Sequence, residues 1–249
     1  MAEWQVQIIG HKHQLTDLLD LFQSVELSVK FEAESSEYYF TSSRLNTYTV
    51  DEIKEVHDIA SAMLHKMNAI ARLRYGGFES VRLGNMAYVA DDGLKSHYVS
   101  GNGAVARVRV RSNLTVTLAD GTVINTREKR QAQAKELLNL LDRDEDVTKS
   151  LELYGKLNHS WRNLYLVLET VEKAVGGQGN LLKQTWLTDI SGMKEAIELF
   201  KHTSNSYAAI GAEARHAKES IIPPETPMTI DEARTVIRTL LNEWVKTKL

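Results

Sequence analysis

The sequence predicts an α+β fold, in which an N-terminal antiparallel sheet with one long and one short helix precedes an all-α helical bundle. Three observations indicate this class. Short stretches of alternating apolar and polar residues fill the first half of the chain, as in half-buried strands. One long amphipathic stretch follows Thr49, and from Thr126 onward only helical periodicity occurs. We therefore expect two domains, an α+β domain at 1–125 and a helical bundle domain at 126–249.

The strand signals are short and are separated by turn residues. Trp4, Val6 and Ile8 alternate with polar residues, as one buried face of a strand would. Turn signals such as Asp91-Asp92-Gly93 and Asp120-Gly121 separate the later candidates. The predicted strands are 4–9, 25–31, 38–40, 80–83, 87–90, 104–111, 114–118 and 122–124.

Two helices are predicted in the first half. A short one spans about 13–22. The long one begins where Thr49 and Glu52 form a capping box, in which each side chain satisfies an unpaired backbone donor of the other. Apolar residues then recur at helical spacing until Gly76-Gly77 ends the helix.

The second half contains helices only, and the best-marked one is the last. Thr229 and Glu232 form another capping box. All three prolines of the chain lie at 223–227, which predicts an extended connector ahead of this helix. The predicted helices are 127–142, 145–156, 159–174, 190–202, 206–218 and 229–247.

Composition excludes several classes of protein. The chain has 249 residues, of which 43% are hydrophobic and 25% charged, with a formal net charge of −3. This is typical of a folded globular chain and excludes dominant disorder or a basic nucleic-acid arm. The absence of cysteine excludes disulfides, iron–sulfur clusters and a cysteine nucleophile. Because no signal peptide and no apolar run long enough for a membrane span are evident, we expect a cytoplasmic protein that does not contact a membrane.

No motif predicts a metal or a cofactor. His11 and His13 have no third ligand nearby. Asp142, Asp144 and Asp146 share the first spacings of a calcium loop, but the residues that follow do not fit one. Asp144 is better explained as the N-cap of the next helix.

Three arginines alternate along one predicted strand. Arg107, Arg109 and Arg111 would project from a single face, where they could hold the phosphates of a nucleic acid. The alternative is the solvated face of a one-sided sheet. No aromatic residues lie between the arginines, so the pattern does not predict a base-stacking platform.

Polar residues suited to chemistry recur near the ends of three predicted helices. Arginine can balance phosphate charge, and histidine can transfer protons. The alternative is a buried polar network that fixes the packing of the bundle, with Asn205 capping a helix. The candidate catalytic residues are His159, Arg162, His202, Arg215 and His216.

The C-terminal half resembles a widespread family of uncharacterised bacterial proteins. The residues that carry the resemblance are Trp161-Arg162-Asn163-Leu164-Tyr165, Asn205-Ser206, Ala214-Arg215-His216 and Pro227-Met228-Thr229 with Trp244. The strand–helix–strand order of residues 4–40 is similar to that family as well.

More distantly, the helical half resembles bacterial HEPN-type domains. That resemblance implies a helical bundle of toxin–antitoxin and phage-defence systems, in which members often act as dimeric ribonucleases. The family's catalytic motif is an arginine followed after four to six residues by a histidine. No arginine of this chain has a histidine at that spacing, and Arg215 and His216 are adjacent instead. The resemblance therefore implies a fold and a setting without the family's activity.

Two functions remain open beside a third class, a small-molecule enzyme that uses a pocket between the two domains, for which no motif predicts a particular reaction. The sequence does not decide whether the chain is an enzyme. The first is a non-catalytic interaction or assembly module, connected with phage defence or mobile elements, that binds a protein partner or forms a homo-oligomer such as a dimer. The second is a metal-independent ribonuclease or RNA-binding protein of a HEPN-like defence or toxin system.

Overall fold

The computed structural model describes residues 2–98, 116–117, 123–124, 126–155, 159–215 and 221–249. An antiparallel sheet of five strands forms in the N-terminal half, and many helices follow it. The predicted α+β class is confirmed.

The strands and helices follow the predicted order. The strands are β1 (Glu3–Ile9), β2 (Leu27–Glu32), β3 (Glu37–Ser42), β4 (Arg82–Val89), β5 (Lys95–Tyr98), β6 (Val116–Thr117) and β7 (Val123–Ile124). The helices are α1 (Lys12–Leu21), α2 (Ile53–Arg74), α3 (Thr126–Leu141), α4 (Glu145–Gly155), α5 (Trp161–Ala174), α6 (Gln178–Leu181), α7 (Thr185–Thr188), α8 (Met193–Asn205), α9 (Tyr207–Ile210) and α10 (Ile230–Lys246).

The sheet has the strand order β2-β3-β1-β4-β5, and each neighbouring pair is antiparallel. β1 lies at its centre because its alternating residues Trp4, Val6 and Ile8 are all buried. Val6 pairs with Phe40 of β3 and with Met86 of β4, so the central register joins three apolar side chains. These residues begin the core of the N-terminal unit.

Two strand predictions need correction. The separate strands expected at 80–83 and 87–90 form one strand, β4, whose pairing with β1 is interrupted by a register shift between Val6 and Ile8. A bulge of this kind breaks the apolar alternation that the prediction relied on. β5 was not predicted because its residues, Lys-Ser-His-Tyr, show no apolar alternation. The strand predicted at 104–111 lies outside the described residues.

The long helix begins as predicted at a capping box. The Thr49 amide donates to Glu52 Oε2 at 2.9 Å, and a short 3-10 turn, Val50–Glu52, leads into α2. Asn68 of α2 is buried, and its side-chain amide exchanges two hydrogen bonds of 3.0 Å with the backbone of Val81. Since an unpaired buried backbone group is costly, this side chain secures the segment that leads into β4.

Five helices of the second half, α3, α4, α5, α8 and α10, lie close to the predicted spans. The side chain of Asp144 accepts a hydrogen bond from Val147 N at 3.0 Å, which confirms Asp144 as the N-cap of α4. The helix predicted at 206–218 is wrong. α9 is a single turn, because Ser206 has an extended backbone and Gly211 has φ +60°. The short helices α6 and α7 were not predicted.

By contacts, the chain divides into two compact units. The first contains Met1–Ala71 with Phe78–Leu138, and the second contains Arg72–Gly77 with Asn139–Leu249. Most of α3, up to Leu138, belongs to the first unit, where Arg127 and Arg130 both pair with Asp20 of α1 at 2.7 and 2.8 Å. The division into folding domains at residue 126 stays a prediction.

None of the described helices is both long and apolar enough to cross a membrane.

The capping box of α10 gives a direct test of the local sequence signal. Thr229 accepts a hydrogen bond from Glu232 N, and Glu232 Oε2 accepts one from Thr229 N at 2.7 Å. We expect Thr229→Ala to lower the free energy of unfolding by about 1 kcal/mol, measured by urea denaturation. Thr229→Ser keeps the hydroxyl and is the matched control. Equal stability of the alanine variant and the wild type would contradict the role of this cap.

Candidate functional site

Four of the predicted catalytic residues are described. His159 and Arg215 belong to two different clusters, and His202 contacts the segment that precedes α10. Arg162 is exposed on α5. His216 and the arginine row Arg107, Arg109 and Arg111 lie outside the described residues.

The arginine–histidine cluster, defined as Arg72, Tyr154, His159, Arg234 and Arg238, lies within the second unit. Arg72 is in the last turn of α2, Tyr154 is near the end of α4, and Arg234 and Arg238 lie on α10. His159 precedes α5, which begins after the N-cap Ser160. The prediction that the helix starts at 159 is thus wrong by two residues, and His159 and Arg162 do not share a helical face.

Two side-chain nitrogens approach one carbonyl at the centre of this cluster. The buried Arg72 donates from Nη1 to Tyr154 O at 2.9 Å, and His159 Nε2 lies 2.5 Å from the same oxygen. His159 Nε2 also lies 2.5 Å from Arg72 Nη1. Because arginine can only donate, Nε2 accepts from Arg72 when it carries no proton and donates to the carbonyl when it does. The rings of Tyr154 and His159 also pack against each other, with centroids 4.7 Å apart.

The surroundings keep His159 neutral. Burial, followed by the charge of Arg72, lowers the pKa of His159 from 6.5 to about 4. Burial also raises the pKa of Tyr154 to about 12, against the opposing charges of Arg72, Arg238 and Arg234. A group with a pKa of about 4 is a weak general base at neutral pH, and its acid form is almost absent there. The cluster is therefore poorly suited to proton transfer.

Arg238 holds the end of α2. Its Nε donates to Leu73 O at 3.2 Å, and Asn242 Nδ2 lies 3.5 Å from the same oxygen. Gly76 leaves room for the guanidinium, because a Cβ at that position would lie 1.7 Å from Arg238 Nη1. This close approach explains why a glycine follows α2 here.

The Tyr165 cluster, defined as Tyr165, Glu169, Phe200, Asn205 and Arg215, joins α5 to the end of α8. The guanidinium of Arg215 lies 4.5 Å from the ring centroid of Tyr165 and donates to Glu169 Oε1 at 2.7 Å. Asn205 donates to Lys201 O at 2.8 Å, while its buried Oδ1 has no hydrogen-bond partner among the described residues. Arg215 is exposed and contacts Tyr165 and Glu169, so it does not belong to a buried polar network.

His202 and its neighbours anchor the proline-containing connector. His202 Nε2 lies 2.7 Å from Ile222 O, and Ser206 Oγ donates to Ile221 O at 3.1 Å. The buried hydroxyl of Thr203 accepts from Met228 N at 3.1 Å. His202 therefore binds the connector, and no described contact joins it to His159.

A third feature is a groove of about 550 Å³ between the end of the connector and α10. Its lining includes two acidic residues, Asp231 and Glu232, and two threonines. Within the described chain, no lysine or arginine lines it. Its apolar residues are Leu199, Pro227, Met228 and Val236.

No group of three His, Asp or Glu side chains is arranged to hold a metal ion in the parts of the chain that are described. The sequence interpretation singled out His159 but not its partners Arg72, Tyr154, Arg234 and Arg238. The spacing of Arg234 and Arg238, four residues apart in a predicted helix, was the one local signal available.

No protein-family model matches the chain, and neither a curated protein nor a solved structure matches it significantly. The resemblance to HEPN-type domains consequently stays a prediction.

The neutral state of His159 is measurable. We expect its ring to titrate with a pKa near 4 in the folded protein, followed by NMR with His159→Gln for assignment. Because the folded pKa lies below the unfolded value, the unfolded state binds the proton first, and stability falls as the pH drops from 6.5 to 4.

At about 1.4 kcal/mol per pKa unit, this contribution has an upper bound of about 4 kcal/mol. We expect the free energy of unfolding of His159→Gln, measured in urea between pH 6.5 and 4, to lack this part of the pH dependence. A folded-state pKa near 6.5 would show that the ring is solvated.

Proposed function

We propose that this chain is a non-catalytic interaction module that docks a segment of a protein partner in the groove of its helical unit. The observation that carries the proposal is the groove itself, which combines four apolar residues with two carboxylates. Apolar grooves of this kind accept amphipathic segments through a few anchoring side chains.

The partner's chemistry follows from the charge of the groove. Asp231 and Glu232 line it and are exposed, and no basic residue lines it in the described chain. Asp231 also pairs with Arg234 at 2.7 Å, but an exposed pair of this kind is weak. A segment with apolar side chains beside lysine or arginine therefore complements the surface.

The state of the candidate catalytic residues also supports a binding role. Arg215 forms an ion pair with Glu169, and His202 Nε2 contacts the carbonyl oxygen of Ile222. His159 is a weak base at neutral pH. The proposal includes a cellular setting, phage defence or mobile elements, in line with the HEPN resemblance. It also includes self-association of the chain.

The groove is tested with peptides selected from a random displayed library on the wild-type protein. We expect the selected peptides to combine apolar and basic residues, because they must match both the apolar lining and the carboxylates. Val236→Arg introduces bulk and positive charge, so a synthetic peptide of the selected sequence should lose binding in fluorescence polarisation.

Leu166→Arg, an equally drastic change at an exposed position of α5 outside the groove, is the control. Equal peptide affinity for wild type and Val236→Arg would refute the groove as the docking site. If the wild type and Leu166→Arg dimerise as the protein concentration rises and Val236→Arg does not, the groove binds a second copy of the chain.

A metal-independent ribonuclease or RNA-binding protein is the second candidate. It is favoured by the positive charge near His159, since Arg72 contacts the imidazole and Arg234 also acts on it electrostatically. The non-catalytic proposal predicts that wild type, His159→Gln and Arg215→Ala all leave RNA uncleaved after prolonged incubation. Cleavage by the wild type that a folded His159→Gln lacks would favour the ribonuclease.

A further inference from the structure

Three arginines of the second unit act electrostatically on one buried tyrosine, Tyr154. Arg234 and Arg238 lie one helical turn apart on α10, and Arg72 approaches from the end of α2. The charges of all three act on Tyr154, and those of Arg72 and Arg234 act on His159 as well. The arrangement concentrates positive charge next to a low-dielectric interior, where its attraction for an anion is strongest.

Arg238 retains hydrogen-bond donors that the fold does not use. Its Nε donates to Leu73 O, which orients the guanidinium, and its two Nη groups meet no acceptor in the described residues. Gly76 provides the space in which these groups lie. A planar guanidinium with both Nη groups available can bind two oxygens of one oxyanion.

Arg234 is the second available donor. Its Nη1 donates to Asp231 Oδ1 at 2.7 Å. The side chain of Arg234 is 43% exposed, and that of Asp231 is 84% exposed. Such a pair adds little stability and leaves the remaining N–H groups of Arg234 open to a ligand. The neutral imidazole of His159 beside them adds no competing charge.

We propose that Arg234 and Arg238, with Arg72 behind them, form a binding site for a phosphate group in the helical unit. Phosphate fits because it presents several oxygens and at least one negative charge to forked guanidinium donors. The group can come from free phosphate and nucleotides or from the backbone of RNA. Neither Arg234 nor Arg238 lines the groove, although Arg234 pairs with Asp231, which does. The phosphate proposal does not depend on the interaction proposal.

The test uses isothermal titration calorimetry at constant ionic strength in chloride, with inorganic phosphate, AMP and a short oligouridine as the three probes. The variants are Arg234→Gln and the double variant Arg234→Gln/Arg238→Gln. Arg162→Gln, which removes an exposed arginine of α5, is the charge-matched control. NMR of the His159 ring reports whether a bound probe lies in the cluster.

We expect binding to the wild type and to Arg162→Gln, with a shift of the His159 signal, and about tenfold weaker binding to Arg234→Gln. Binding of phosphate and AMP assigns the site to small phosphates. Binding of the oligouridine alone assigns it to the RNA backbone.

Since Arg238 also holds the end of α2, Arg234→Gln alone decides the result if the double variant unfolds. The proposal is overturned if no probe binds at millimolar concentration, or if Arg234→Gln binds as tightly as Arg162→Gln. A failure of peptide binding in the groove leaves these outcomes unchanged.

Discussion

The last carbonyl groups of a helix have no partner within it, and in the second unit arginine side chains supply the missing donors. Arg72 donates to Tyr154 O at the end of α4, and Arg238 donates to Leu73 O at the end of α2. A cation at a helix C-terminus also complements the helix dipole. The same two contacts that terminate the helices therefore bring positive charge into the interior of the unit.

The state of His159 follows from this constraint. Its imidazole meets the same carbonyl as Arg72, so burial and a neighbouring cation both oppose its protonation. A histidine held in this way contributes packing against Tyr154 and a hydrogen bond, but little acid–base chemistry at neutral pH. The presence of histidine and arginine together thus points to anion binding more than to catalysis.

The groove depends on a different set of backbone contacts. The connector ahead of α10 contains all the prolines and forms no helix or strand, so its polar backbone groups need side-chain partners. His202, Thr203 and Ser206 at the end of α8 provide them. These hydrogen bonds hold Pro227 and Met228 in place as one wall of the groove. The predicted candidate His202 has its place in the fold for this structural reason.

The sequence by itself determined the features that depend on near neighbours. The α+β order, the alternation of β1, and the capping boxes at Thr49 and Thr229 each depend on residues within a few positions of one another. Where the local signal is absent or misleading the prediction failed, as for the polar strand β5 and for α9.

The tertiary structure alone decided the candidate site, because its contacts join distant parts of the chain. Arg72 and His159 are 87 residues apart, and Arg238 and Leu73 are 165 apart. Local periodicity carries no information about such pairs, so His159 could be singled out as a histidine but not as a neutral one. Only the folded chain sets its burial and the charges beside it, and these two factors determine which chemistry the side chain can perform.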